Sequence, residues 1–118
     1  MEILNVKSKS LARATVVFRD KYMYFSRGAI EHYGLEIGKR ISFVTEVDRL
    51  YFYVNDDPDG FLICKREGGA LVWAVLIIEV LVEKLPNLLK GGKRFPLKQT
   101  NTEVNGSRLV EILFHNKP

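Results

Sequence analysis

The densest grouping of cations and glycines in the chain is Lys90-Gly91-Gly92-Lys93-Arg94. Flexible cations beside a glycine backbone, whose N–H groups can converge, are what a phosphate contact requires. The spacing is not that of a P-loop, and a basic glycine-containing turn after a helix is more often a solvated cap. His32 and His115 are far apart in sequence, so no paired ligand spacing exists for zinc and no metal site is expected. Cys64, the only cysteine, falls in a strand-like run without a partner base and reads as a buried, inert thiol. Asp56, Asp57 and Asp59 offer oxygens, but the glutamate that closes an EF-hand loop is missing, and they read as a turn. Tyr51-Phe52-Tyr53 could stack bases as in single-strand binders, although aromatic residues in a strand more often form core or cross-strand pairs. Trp73 is expected in the core on the same ground. No nucleophile, general base or ligand constellation remains, so the chain is expected to bind rather than catalyse, with no cofactor.

These residues need elements to hold them, and the chain reads as strand, turn, strand, helix, strand, turn, strand, twice over. Thr15 to Phe18 and Tyr22 to Phe25 are β-branched and aromatic runs joined by Arg19-Asp20-Lys21, which predicts a hairpin. Ser26 is a helix N-cap, Ala29, Ile30 and Tyr33 share a helical face, and Gly34 supplies the left-handed residue that ends the helix. Ile41 and Phe43 alternate in a half-buried strand that pairs with Leu50 to Val54. Asn55 to Gly60 is the strongest breaker cluster and marks the midpoint. A second hairpin, Phe61 to Lys65 with Ala70 to Ala74, precedes an amphipathic helix from Val75 to Leu85 stopped by Pro86. Arg94 to Lys98, restricted by Pro96, and Arg108 to Phe114 complete the set, with Gln99 to Ser107 as a polar loop between them. The expected core includes Phe25, Ile30, Tyr33, Leu35, Ile41, Phe43, Trp73, Ile77, Ile78, Leu81 and Phe95.

The order suggests a duplication. Phe25 to Glu31 lies over Trp73 to Glu79, Leu35 to Ile41 over Leu89 to Phe95, and Arg49-Leu50 over Arg108-Leu109. The expectation is a β-rich α+β domain spanning residues 1–118, with two pseudo-repeated ββαββ halves, about 11–55 and 60–114, forming one barrel-like core.

A chain of 118 residues, 47% apolar and 27% charged, has the composition of an ordinary globular domain. The net charge of +4 is unevenly spread: residues 1–45 and 60–118 are basic, whereas Glu46 to Asp59 is acidic. Such segregation can steer a polyanion to one face. The lone cysteine and an amino terminus without a signal-like apolar run favour the cytoplasm. The most apolar stretch, around Ala70 to Val82, is too short to span a bilayer, and no membrane partner is expected.

Tyr22 to Val44, YMYFSRGAIEHYGLEIGKRISFV, resembles the core of the AbrB/SpoVT-type swapped-hairpin domain. Phe25, Ala29, Ile30, Gly34-Leu35, Gly38-Lys39 and Ile41 to Val44 carry the likeness. That family has Gly-Arg entering the strand and proline at the helix start, where this chain has Lys21-Tyr22 and Ser26. The resemblance implies a compact β-barrel, usually built by two chains exchanging hairpins, here supplied by the two halves of one chain. It also implies a transcriptional regulator contacting double-stranded DNA through basic residues around the hairpin. The corresponding positions are Arg13, Arg19, Lys21 and Arg27, with Lys65 and Arg66 offered by the second half. The competing expectation is a protein-interaction module, or a homodimer, that presents a strand edge or the apolar segment near Trp73 to its partner.

Overall fold

The computed structural model describes residues 13–86, 88–89 and 93–114. Ten elements follow one another: β1 (Thr15–Phe18), β2 (Tyr22–Ser26), α1 (Arg27–Tyr33), β3 (Arg40–Glu46), β4 (Arg49–Asn55), β5 (Phe61–Arg66), β6 (Gly69–Trp73), α2 (Val75–Lys84), β7 (Arg94–Val104) and β8 (Ser107–Ile112). The first helix forms where its caps lie. Ser26 Oγ accepts from the Ala29 N–H, and Gly34 at φ 66° donates its N–H to the Ile30 carbonyl, with Leu35 fully buried behind it. The second helix has no side-chain cap at Ala74 and is held mainly by burying Ile78 and Leu81.

All strand pairs are antiparallel, and the strands close in the order β1-β2-β6-β5-β3-β4-β8-β7. Two four-stranded sheets make up the circuit, β1-β2-β6-β5 and β3-β4-β8-β7. Their joints are short: β1 meets β7 over Thr15 to Val17, and β3 meets β5 only at Arg40 and Ile41. The sheets enclose a core in which Phe18, Met23, Phe25, Ile41, Phe52 and Ile63 are almost completely buried. Phe52 packs edge-to-face on Phe25 with ring centroids 5.3 Å apart, bridging the two sheets. No buried polar side-chain atom among the described residues lacks a hydrogen-bond partner. No helix of the described residues is long and apolar enough to cross a membrane.

Of the expected core, Ile30, Tyr33, Phe43 and Ile77 are only half-buried and pack against it, and three further expectations change. Trp73 is not in the core; it is 54% exposed, at the end of β6 on the face opposite buried Val72. Gln99 to Val104 is not a loop but the continuation of β7, paired with β8 around a turn in which Asn105 and Gly106 both have positive φ. This segment carries no apolar alternation, being held by backbone pairing, across a register shift between Gln99 and Glu103, and by Thr100 Oγ1 donating to the Leu109 carbonyl. The third change concerns α2, whose outer side is apolar as well as acidic: Leu76 is 70% exposed and Val80 53%.

Candidate nucleic-acid interface

Alternation in β2 sets the geometry of the outer surface. Met23 and Phe25 point into the core, so Tyr22 and Tyr24 lie on the opposite side, and Trp73 of β6 pairs directly across from Tyr22. The Tyr22 and Trp73 rings meet edge-to-face at 5.3 Å. The Arg66 guanidinium, reaching from the end of β5, stands 5.6 Å from the centre of the Tyr22 ring. Tyr24 is pinned over the β5–β6 turn, where its hydroxyl donates to the Glu67 carbonyl at 2.9 Å. That approach depends on Gly69, since a Cβ there would overlap the Phe25 carbonyl and come within 2.9 Å of the Tyr24 ring.

Two shallow hollows flank this aromatic ledge. One, of about 320 Å³, is lined by Arg19, Tyr22, Tyr24, Arg66 and Glu67. The next, of about 450 Å³, shares Arg66 and Glu67 and adds Arg27, Lys65, Ile30, Ile37 and Gly68-Gly69. Four of the six cations inferred from sequence thus converge on one surface. Arg13 lines neither hollow but is tied beside Arg27, because its carbonyl accepts from Ser26 Oγ at 2.8 Å. Lys21 stands in the β1–β2 turn, which Arg19 closes by donating its N–H to the Tyr22 carbonyl. The two ion pairs among the described residues, Lys39–Glu36 and Arg49–Glu111, involve none of the six. Asp20 and Glu67 are the acids nearest in sequence to these cations, and the acidic run from Glu46 to Asp59 lies on β3, β4 and their flanking loops, in the other sheet.

The other candidates are placed as follows. Asp56, Asp57 and Asp59 build a turn in which Asn55 and Asp57 side chains accept from the Asp57 and Asp59 N–H groups. Cys64 is half-buried in β5, and His32 is exposed on α1 beside Tyr33. Tyr51 and Phe52 are buried. Lys93 and Arg94 are exposed, with the Lys93 ammonium 5.4 Å from the Phe95 ring, while Lys90, Gly91, Gly92 and His115 lie outside the described residues. Away from the ledge, Arg49 is pushed above its ordinary pKa first by a hydrogen bond with Tyr51 and then by the charge of Glu111. A third hollow, of about 320 Å³ and mostly apolar, lies between the β3–β4 turn and α2, lined in part by Val47, Leu50, Val80, Leu81, Leu85 and Phe114. No family model matches the chain, and no curated protein or solved structure matches it.

The sequence reasoning did not assign Tyr22, Tyr24 and Trp73 to the site. The signal was present in the strict alternation of Tyr22, Met23, Tyr24 and Phe25, which places both tyrosines opposite Phe25.

Proposed function

We propose that this protein is a non-enzymatic nucleic-acid-binding protein of AbrB-like kind, which holds phosphates on the outer face of β1-β2-β6-β5. The observation that carries this is the meeting of Arg19 and Arg66 around the Tyr22–Tyr24 ledge, continued by Arg27 and Lys65 and uncompensated by ion pairs. A regulator of this kind needs no cofactor, since charge and shape do the binding.

The kinship is supported by the ladders. Laying Phe18 over Ile63, Met23 over Val72, Ile41 over Phe95 and Phe52 over Ile112 superimposes core positions on core positions. Under that exchange the pair Phe18↔Met23 becomes Ile63↔Val72, and Phe43↔Phe52 becomes Leu97↔Ile112. Ile41↔Phe61 becomes Phe95↔Val16, while Met23↔Val72 and Tyr51↔Glu111 map onto themselves. One chain then supplies what two exchanged hairpin units supply in the AbrB-type barrel. On this reading the alignment of the halves shifts by one residue at two places, bringing Phe25 over Ala74 instead of the outward-facing Trp73, and Glu111 over Tyr51 instead of Phe52.

The test is retention on immobilised DNA at low ionic strength, with release as salt rises. A chain that passes through at the lowest salt, where phosphate binding is strongest, refutes the proposal. The apolar surface of Leu76, Val80 and the adjoining hollow favours a second reading, a protein partner. Leu76→Lys should then abolish recovery of a partner, or of a dimer, in size-exclusion chromatography without affecting retention on DNA.

A further inference from the structure

We infer that the nucleic acid held on this face is single-stranded, with an unpaired base stacked on Trp73. The inference rests on the nucleic-acid reading of the β1-β2-β6-β5 face, but replaces the duplex that the AbrB resemblance implies with a single strand. Trp73 is the only tryptophan in the chain, and as the last residue of β6, on the face opposite buried Val72, it is 54% exposed. Cross-strand packing on Tyr22 covers part of it, the two rings meeting edge-to-face at 5.3 Å. It also fixes the indole, so a base stacking there finds an already ordered partner.

The charges around it suit a strand more than a helix. Arg66 is drawn over Tyr22 at 5.6 Å, so a cation stands beside the aromatic ledge, and Arg19 shares a hollow with Tyr22, Tyr24 and Arg66. Arg27 and Lys65 continue past Gly68-Gly69. Aromatic faces interleaved with cations along a shallow track are the pattern by which single strands are held, bases on rings and phosphates on cations. A duplex presents base edges in its grooves and keeps the base faces stacked inside, so it has nothing to offer an exposed indole. The pattern names unpaired bases and does not depend on the sugar, so deoxyribose and ribose strands are both candidates.

Trp73 makes the experiment direct. Its emission is followed as the full chain is titrated at low salt with oligo-dT, oligo-rU, a duplex of equal length, and heparin as a polyanion without bases. The single strands should quench the emission, whereas heparin and the duplex should bind through the cations and leave it nearly unchanged. Trp73→Ala should weaken single-strand binding by roughly 5- to 150-fold, the range that one base stack is worth, and Trp73→Phe should restore most of it. Neither change should alter the salt slope or heparin binding, since no phosphate contact is removed. Duplex binding at least as tight as single-strand binding with unmoved emission overturns the inference, as does an unaltered single-strand affinity for Trp73→Ala. Those results leave the basic face standing; binding of none of the four ligands at low salt removes both.

Discussion

Replacing Arg19 and Arg66 together by alanine removes the two cations that share the Tyr22–Tyr24 hollow, and both side chains are solvent-exposed, so the barrel should be unaffected. Each phosphate contact contributes about 0.7 to the log–log salt slope for a single strand and about 0.9 for a duplex. If all six cations assigned from sequence reach phosphates, the four that line the two hollows together with Arg13 and Lys21 beside them, the single-strand slope is about −4, and raising salt from about 50 to about 200 mM weakens binding roughly 300-fold. The double variant should fall to a slope of about −3 and lose only about 50-fold over the same interval. Fluorescence anisotropy of a labelled oligonucleotide at several salt concentrations measures both. Lys98→Ala/Arg108→Ala, which removes the same charge from exposed positions of the other sheet, is the control. Equal slopes for the two double variants would show that the net charge of the molecule, and not this face, attracts the polyanion.

The remaining predictions concern the barrel. Phe52→Ala should lower stability by about 3–5 kcal/mol in urea denaturation, because the ring is fully buried between Phe25 and Phe43. Gly34→Val should cost about 1–3 kcal/mol from its φ of 66° alone, since a Cβ there meets nothing within 4 Å; a thermal midpoint equal to that of the native chain would refute this. Val47, at φ 54° and 92% exposed, should be improved by glycine, with a gain of up to about 1 kcal/mol in calorimetry. Ser26→Ala removes an acceptor used by the Ala29 and Thr15 N–H groups and should cost about 1–2 kcal/mol, with amide exchange in α1 rising first.

Much of the fold was legible because local and tertiary demands agree in the first half. Ser26 and Gly34 mark α1 with no help from packing, and the structure places the helix between them. The second half was harder. The α2 stretch is apolar on its outer as well as its inner side, which blurs the period, and Gln99 to Glu103 is polar on both faces, which hides a strand. The cations of the site were found individually, but their convergence depends on β2 pairing with β6 and β6 with β5, partners distant in the chain. Trp73 was misplaced because tryptophan is usually covered, and only its place at the end of β6, on the face opposite Val72, reveals otherwise.

The seam between β1 and β7 also governs how the molecule is made. Val16 lies against Phe95 and Val17 against Arg94, so the ring joins its first strand to its last but one. As the chain leaves the ribosome, all four strands of the β1-β2-β6-β5 sheet are available once Trp73 has emerged, while the sheet that covers it still lacks β7 and β8. For that interval Val16, Phe18, Phe25 and Ile63 form an apolar floor only partly roofed by β3 and β4, a surface suited to chaperone capture and prone to aggregation. A chain cut before Arg94 lacks β7 and β8 and is therefore an open sheet only partly covered by β3 and β4, not a smaller barrel.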